Sequence, residues 1–136
     1  DGQEHIPVVL HRAVTGSTER FLGVLIEHFA GAFPVWLAPI QAVIIPITDR
    51  HNKYCQRMQT RLHETGIRAE IDIGSERMNA KIRKAQLQKI PYMLVVGDKE
   101  VDADQVSVRL RSGEDLKSIS VDDFINLIRE ATTKGD

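Results

Sequence analysis

The sequence holds a single cysteine, Cys55, and no apolar run long enough to cross a membrane. One thiol excludes an internal disulfide framework and a cysteine-rich zinc ribbon, and makes a reducing compartment, the cytoplasm, the expected location. With no span and no signal-like segment, no membrane partner is expected. There is no Walker loop, no dinucleotide fingerprint and no complete nucleophile and base set. Neither repeats nor low-complexity stretches interrupt the chain. It begins at Asp1 rather than methionine, in a stretch without start character, and is expected to be a piece of something longer.

What is there suits one soluble domain with a real core, accompanied by a fragment of another: 136 residues, 42% hydrophobic and 27% charged. The net charge of −1 conceals a segregation. Residues 1–49 carry two basic and five acidic side chains, residues 50–97 ten and four, and residues 98–136 six and ten. A basic middle third fits an anionic partner met by one face; a solvated helix surface gives the same count.

The chain is organised around Ile90-Pro91-Tyr92-Met93-Leu94-Val95-Val96-Gly97-Asp98-Lys99-Glu100. Its uncharged, β-forming residues predict a strand covered on both faces, and Gly97-Asp98 a sharp turn after it. Residues 105–111 alternate apolar and polar, so Val106, Val108 and Leu110 face the core. Ser107, Arg109 and Arg111 then share an open face, expected close to the turn that carries Lys99 and Glu100.

Before that strand, 3–15 contains a short apolar strand, and Ser17 or Thr18 can cap a helix reaching about residue 30. That helix is apolar on too many sides for a single stripe, as if built to be buried in further protein. Pro34, Trp36 and Pro39 mark a joint. Beyond it come a buried strand over 42–47, and a helix capped by Asp49 and running to Gly66 with Tyr54, Met58 and Leu62 inward. A second strand is marked by Ala69, Ile71 and Ile73, and a second helix by 77–89. The final helix starts at Ser120 and buries Val121, Phe124, Ile125 and Ile128. Two strand–helix–strand units imply parallel pairing with right-handed crossovers. The hairpin adds an antiparallel strand, and 116–119 a short edge. Ligands of such sheets meet the carboxyl ends of the parallel strands, here at 75–77 and 98–100.

Arg77, Lys81 and Lys84 recur at i, i+4 and i+7 beside an apolar stripe of Met78, Ile82 and Ala85, and no acidic residue occurs from 77 to 97. This is either a phosphate-binding stripe or a solvated amphipathic helix. Cys55 reads as a small buried hydrophobe. His51 and His63 read as surface residues, and His11 ends a strand just before a glycine turn, where a side chain can enter a cleft.

His11-Arg12-Ala13, Gly16-Ser17-Thr18-Glu19-Arg20-Phe21, Phe33-Pro34-Val35-Trp36-Leu37-Ala38-Pro39 and the 91–100 segment occur in that order. Together they resemble the C-terminal part of the threonyl-tRNA synthetases, class II aminoacyl-tRNA synthetases, over essentially the whole chain. The Gly-Ser-x-Glu-Arg segment is similar to the third class II motif; the His-Arg-Ala prefix and the Trp-Leu-Ala-Pro joint point to the threonine enzymes. The resemblance implies that residues 1–39 are the strand–helix tail of a catalytic domain and its joint. Residues 40–136 are then an anticodon-binding domain, a three-layer α/β/α fold whose five-stranded mixed sheet has order 2-1-3-4-5 with strand 4 antiparallel.

It further implies that Arg20 packs on the adenine of ATP, that Ser17 lines the active site, and that His11 is one of three protein ligands of a catalytic zinc. ATP with magnesium, threonine and zinc belong to the longer parent, expected to be a homodimer. The isolated piece is expected to hold no cofactor and to activate no threonine. Lys89, Glu100 and Arg109 are implied near the anticodon bases of threonine tRNA, with Ser75 and Arg77 along the same edge. Ser75 stands where the family pattern has asparagine, and Lys89 where it has arginine. Base edges therefore fall chiefly to Arg109 and Glu100, and the RNA backbone to Arg77, Lys81, Lys84 and Lys89. The same fold also serves synthetases for histidine, proline or glycine, and non-catalytic accessory modules.

Overall fold

The computed structural model describes residues 32–135, so the expected strand and helix of the tail, with His11, Ser17 and Arg20, lie outside the described residues. Five strands form one sheet in the order β2-β1-β3-β4-β5: β1 (Ala42–Pro46), β2 (Ala69–Ile71), β3 (Tyr92–Val96), β4 (Gln105–Leu110) and β5 (Asp115–Ser120). β1 runs parallel to both β2 and β3, and β4 runs antiparallel to both β3 and β5. β1 and β3 are buried along their whole length, as their uninterrupted apolar runs require of central strands.

Two helices cover one face. α1 (Asn52–Glu64) buries Tyr54, Cys55, Met58 and Leu62, and α4 (Val121–Lys134) buries Val121, Phe124, Ile125 and Ile128. Their stripes meet Ile44, Leu94, Val106 and Val108 in the main core, where the Phe124 ring stands edge-on to Tyr92 at 5.5 Å. The other face carries a smaller core of Val43, Ile45, Met93 and Val95 under Ile82 and Ala85 of α2 (Met78–Leu87). α2 packs mainly on β1, and among the described residues no helix crosses the same face of β4 and β5. The expected joint folds as a turn, with Val35 and Ala38 buried. Arg68 donates to the carbonyls of Trp36 and Ala38, and Gln41 to that of Val35.

Several boundaries differ from the sequence reading, each for a local reason. β2 stops at Ile71 because the Asp72 carboxylate turns back to accept the Gly74 N–H; Ile73 is 70% exposed. Asp49 opens a single 3₁₀ turn after Thr48, and α1 starts at Asn52. Arg77 is the extended N-cap of α2 rather than its first residue. β5 is longer than 116–119, and its alternation is broken by a bulge with Lys117 left-handed at φ 63°. The charged turn after β3 is a helix, α3 (Asp98–Ala103), six residues long and too short to show an apolar period. Finally, His51 is buried at 3% exposure, because its ring is turned inward by two polar partners.

Candidate functional site

Alternation along β4 sends Val106 and Val108 into the main core and leaves Ser107 and Arg109 on the opposite face. In the β3–β4 register Arg109 lies opposite Met93, and across β4–β5 Ser107 lies opposite Ser118 and Arg109 opposite Asp115. The result is an open polar strip on β4 and β5, bounded on the β3 side by α2.

At the carboxyl end of β3 the strip is closed by Glu100, in the first turn of α3. Its carboxylate accepts the Gly97 N–H at 2.9 Å and the Ser118 hydroxyl at 3.3 Å. Two fixed donors preset the group, while its remaining lone pairs stay available. Gly97 makes this possible by close approach. A Cβ there would stand 2.7 Å from Ile47 Cδ1 and 3.1 Å from the Glu100 carboxylate.

Arg109 is half-buried, and its Nε is buried without an acceptor among the described residues. Asp115 lies 3.9 Å away, near enough to attract the guanidinium but too far for a hydrogen bond. Met93 is three residues before the end of β3, which places Arg109 about 10 Å along the strip from that end. Glu100 reaches Ser118, which pairs with Ser107, so Arg109 lies two residues farther along the same face of β4.

Lys89 ends the strip at the opposite, amino end of β3. It is exposed and left-handed at φ 59°, closing α2 as glycine commonly does. Its carbonyl accepts from Arg111, whose guanidinium also donates to the Phe33 carbonyl at 2.7 Å. Arg111 therefore braces the joint.

Ser75 and Arg77 are exposed in the loop after β2. Ser75 lines a cavity of about 420 Å³ with Ile47, Thr48, Asn52, Ile73 and Lys81; the side-chain amide oxygen of Asn52 is buried without a partner among the described residues. The basic stripe is only partly realised. Lys81 is 5% exposed and its ammonium donates to the Asp72 carbonyl at 3.0 Å, so Lys81 is corrected from a solvent-facing phosphate contact to a brace for the β2 turn. The reason is its position between Met78 and Ile82 on the inward side of α2. Lys84 is exposed but lines a 320 Å³ cavity against β2, on the flank of α2 away from β4. Helical spacing puts Asn79 and Gln86 on the flank toward β4 instead.

Sequence reasoning missed Ser118, hidden by the bulge, and the role of Gly97, which the glycine-to-glutamate spacing of a helix start could have signalled. It also missed the tethers of α3. Asp98 accepts from His51 Nε2 at 2.8 Å and Arg50 at 2.6 Å, and the His51 bond, followed by the attraction of Arg50, holds its carboxyl below the usual range. Tyr54 donates toward Asp104 and the Gln105 carbonyl, each at 3.1 Å; burial and then the Asp104 bond push the phenol above its ordinary range. Cys55 is inert as expected, its thiol pushed up to about 12 by burial.

Residues 41–131 match the family model described as the anticodon binding domain. The chain is 61% identical over 117 residues to a threonine–tRNA ligase of Deinococcus radiodurans, covering 86% of this chain and 18% of that one. It is 53% identical over 135 residues to one of Caldanaerobacter subterraneus, covering 98% and 21%. The chain thus spans about a fifth of the length of the curated relatives it matches. The RNA-binding domain of a threonyl-tRNA synthetase from Cryptosporidium parvum superposes with a TM-score of 0.79 at 32% identity, over 89% of this chain and 30% of that one. A prolyl-tRNA synthetase from the same organism shares the fold at 24% identity, with a TM-score of 0.66 over 74% and 22%.

Proposed function

Because the chain belongs to the family of anticodon binding domains, we propose that its open strip holds the anticodon loop of threonine tRNA, as the C-terminal part of a threonine–tRNA ligase. The observation that carries this reading is an accessible donor and a preset acceptor on one face. The Arg109 side chain keeps 36% of its surface in solvent with Asp115 no nearer than 3.9 Å, and the Glu100 carboxylate is fixed by Gly97 and Ser118. A guanidinium donates in a planar fork to acceptor edges such as guanine O6 and N7, and a carboxylate accepts from base amino groups. Unstacked loop bases present both kinds of edge. Lys89 stands at one end of the strip and Ser75 and Arg77 near the other, with the phosphates falling to Arg77 and Lys89; Lys84, on the β2 flank of α2, lies off the strip.

In the longer protein, threonine is joined to its tRNA through a threonyl-adenylate made from ATP, in a cytoplasmic homodimer. Arg20, Ser17 and His11 supply ATP, substrate and zinc contacts there. Among the described residues no group of three His, Cys, Asp or Glu is placed to hold a metal. On this reading RNA binding falls to the described domain, and no threonine activation is expected of the isolated chain; ATP–pyrophosphate exchange above background overturns that part of it. The test compares the chain's affinity for the anticodon stem-loop of threonine tRNA with that for a loop changed at the second and third anticodon bases, across a salt series. A preference for the unchanged loop and a steep fall with salt, from counterion release at several phosphates, are expected. Equal affinity for both loops with a flat salt response overturns the reading.

A further inference from the structure

The Glu100 carboxylate can select a base only while α3 holds it still. α3 has six residues, none of them buried, and a helix that short has no stability of its own. It is tethered at both ends to one neighbouring element: Tyr54 of α1 reaches Asp104 at its C-cap, and the 3₁₀ turn before α1 reaches Asp98 at its start.

The two partners of Asp98 are unequal. Arg50 is 68% exposed and Asp98 62%, a surface pair of the kind that contributes little. His51 has a side chain only 4% exposed and both ring nitrogens engaged. Nδ1 accepts the Thr48 N–H at 3.3 Å, which leaves the proton on Nε2, aimed at Asp98 at 2.8 Å. A buried ring committed in this way has one orientation. The Asp98 it holds adjoins Gly97, whose N–H sets Glu100.

We propose that His51 is a positioning residue for base discrimination: by donating from Nε2 to Asp98 it fixes the first turn of α3, and with it the Gly97 N–H contact that aims the Glu100 carboxylate. The inference rests on the reading of Glu100 as a base-contacting group.

The test uses the whole chain and reads the ratio of affinities for the unchanged and base-changed stem-loops, together with exchange of the Gly97 amide proton without RNA. His51→Phe keeps the volume and removes both hydrogen bonds. It is expected to lower the ratio about two- to tenfold, the effect of one lost hydrogen bond, and to speed Gly97 exchange. His51→Gln carries an amide that can replace the Nε2 donor and is expected to restore the ratio. In a Glu100→Gln background, His51→Phe should change the ratio no further. A wild-type ratio in His51→Phe, with a reduced one in Glu100→Gln, overturns the proposal. An unchanged ratio in Glu100→Gln itself removes the Glu100 reading and this inference with it. If His51→Phe does not fold, Asp98→Ala, at an exposed side chain, makes the same comparison.

Discussion

Val108 and Arg109 are neighbours on β4, yet Val108 is fully buried while Arg109 keeps 36% of its side chain in solvent. The same contrast runs along the sheet. On one face α1 and α4 close over Leu94, Val106 and Val108, α4 inserting Phe124; on the other, α2 stops short and leaves Ser107, Arg109 and Ser118 uncovered. The covered face is specified by volume, since buried side chains of fixed shape leave little slack. The open face is specified by donors and acceptors, few of which touch the core. The proposed reading puts stability and recognition on opposite sides of one strand, and substitutions should separate them.

The largest effect belongs to the covered face. Phe124→Ala removes a fully buried ring packed edge-on to Tyr92 and should cost about 3–5 kcal/mol in denaturant unfolding. Its RNA affinity should fall only in proportion to the unfolded fraction. Gly97→Ala joins the two faces, because the added Cβ meets Ile47 and the Glu100 carboxylate together. Ile47 is half-exposed and its side-chain end can turn away, so only a small loss of stability is expected, with reduced discrimination between stem-loops even in the folded protein as the Glu100 carboxylate is displaced. Lys89→Gly should move the two properties in opposite directions. Glycine relieves the left-handed backbone and adds about 0.5–1 kcal/mol to stability, while loss of the ammonium weakens RNA binding at low salt. A drop in both, by calorimetry and titration, contradicts the separation.

The smallest effect is one of pH. Asp98 is held below the usual carboxylate range by His51 and then Arg50, so its folded pKa is depressed. Its contribution is present above about pH 4, the ordinary unfolded value, and is lost as pH falls through the lower folded one. The stability difference between wild type and Asp98→Ala should therefore be larger at pH 7 than at pH 3. A constant difference over that interval removes the tether from the account.

Most of the sheet is legible in the residues. The uncharged run ending at Val96 suits a strand covered twice, of which Tyr92–Val96 forms β3, and Val106, Val108 and Leu110 assign the faces of β4. The strand order and the antiparallel fourth strand came with the family resemblance and agree with the fold. α3 was not legible, because a six-residue helix with one packed apolar residue, Val101, has no period to read. Periodicity also misled at Lys81, where a charged residue at the margin of an apolar stripe was drawn inward by the Asp72 carbonyl. His51 gave no local signal: its partner Asp98 is 47 residues away, and only the sheet brings them together. The open strip lay between these cases, with Arg109 and Glu100 each identifiable but their separation set by strand register.

The most direct test is affinity of the wild-type chain and of Arg109→Ala for the anticodon stem-loop of threonine tRNA and for the loop altered at its second and third anticodon bases. The account predicts that wild type prefers the unaltered loop, and that Arg109→Ala unfolds at the same denaturant concentration but loses about 1–3 kcal/mol of that preference. Equal weakening of Arg109→Ala on both loops, with the preference intact, would contradict base readout by the open face and leave it a basic surface only.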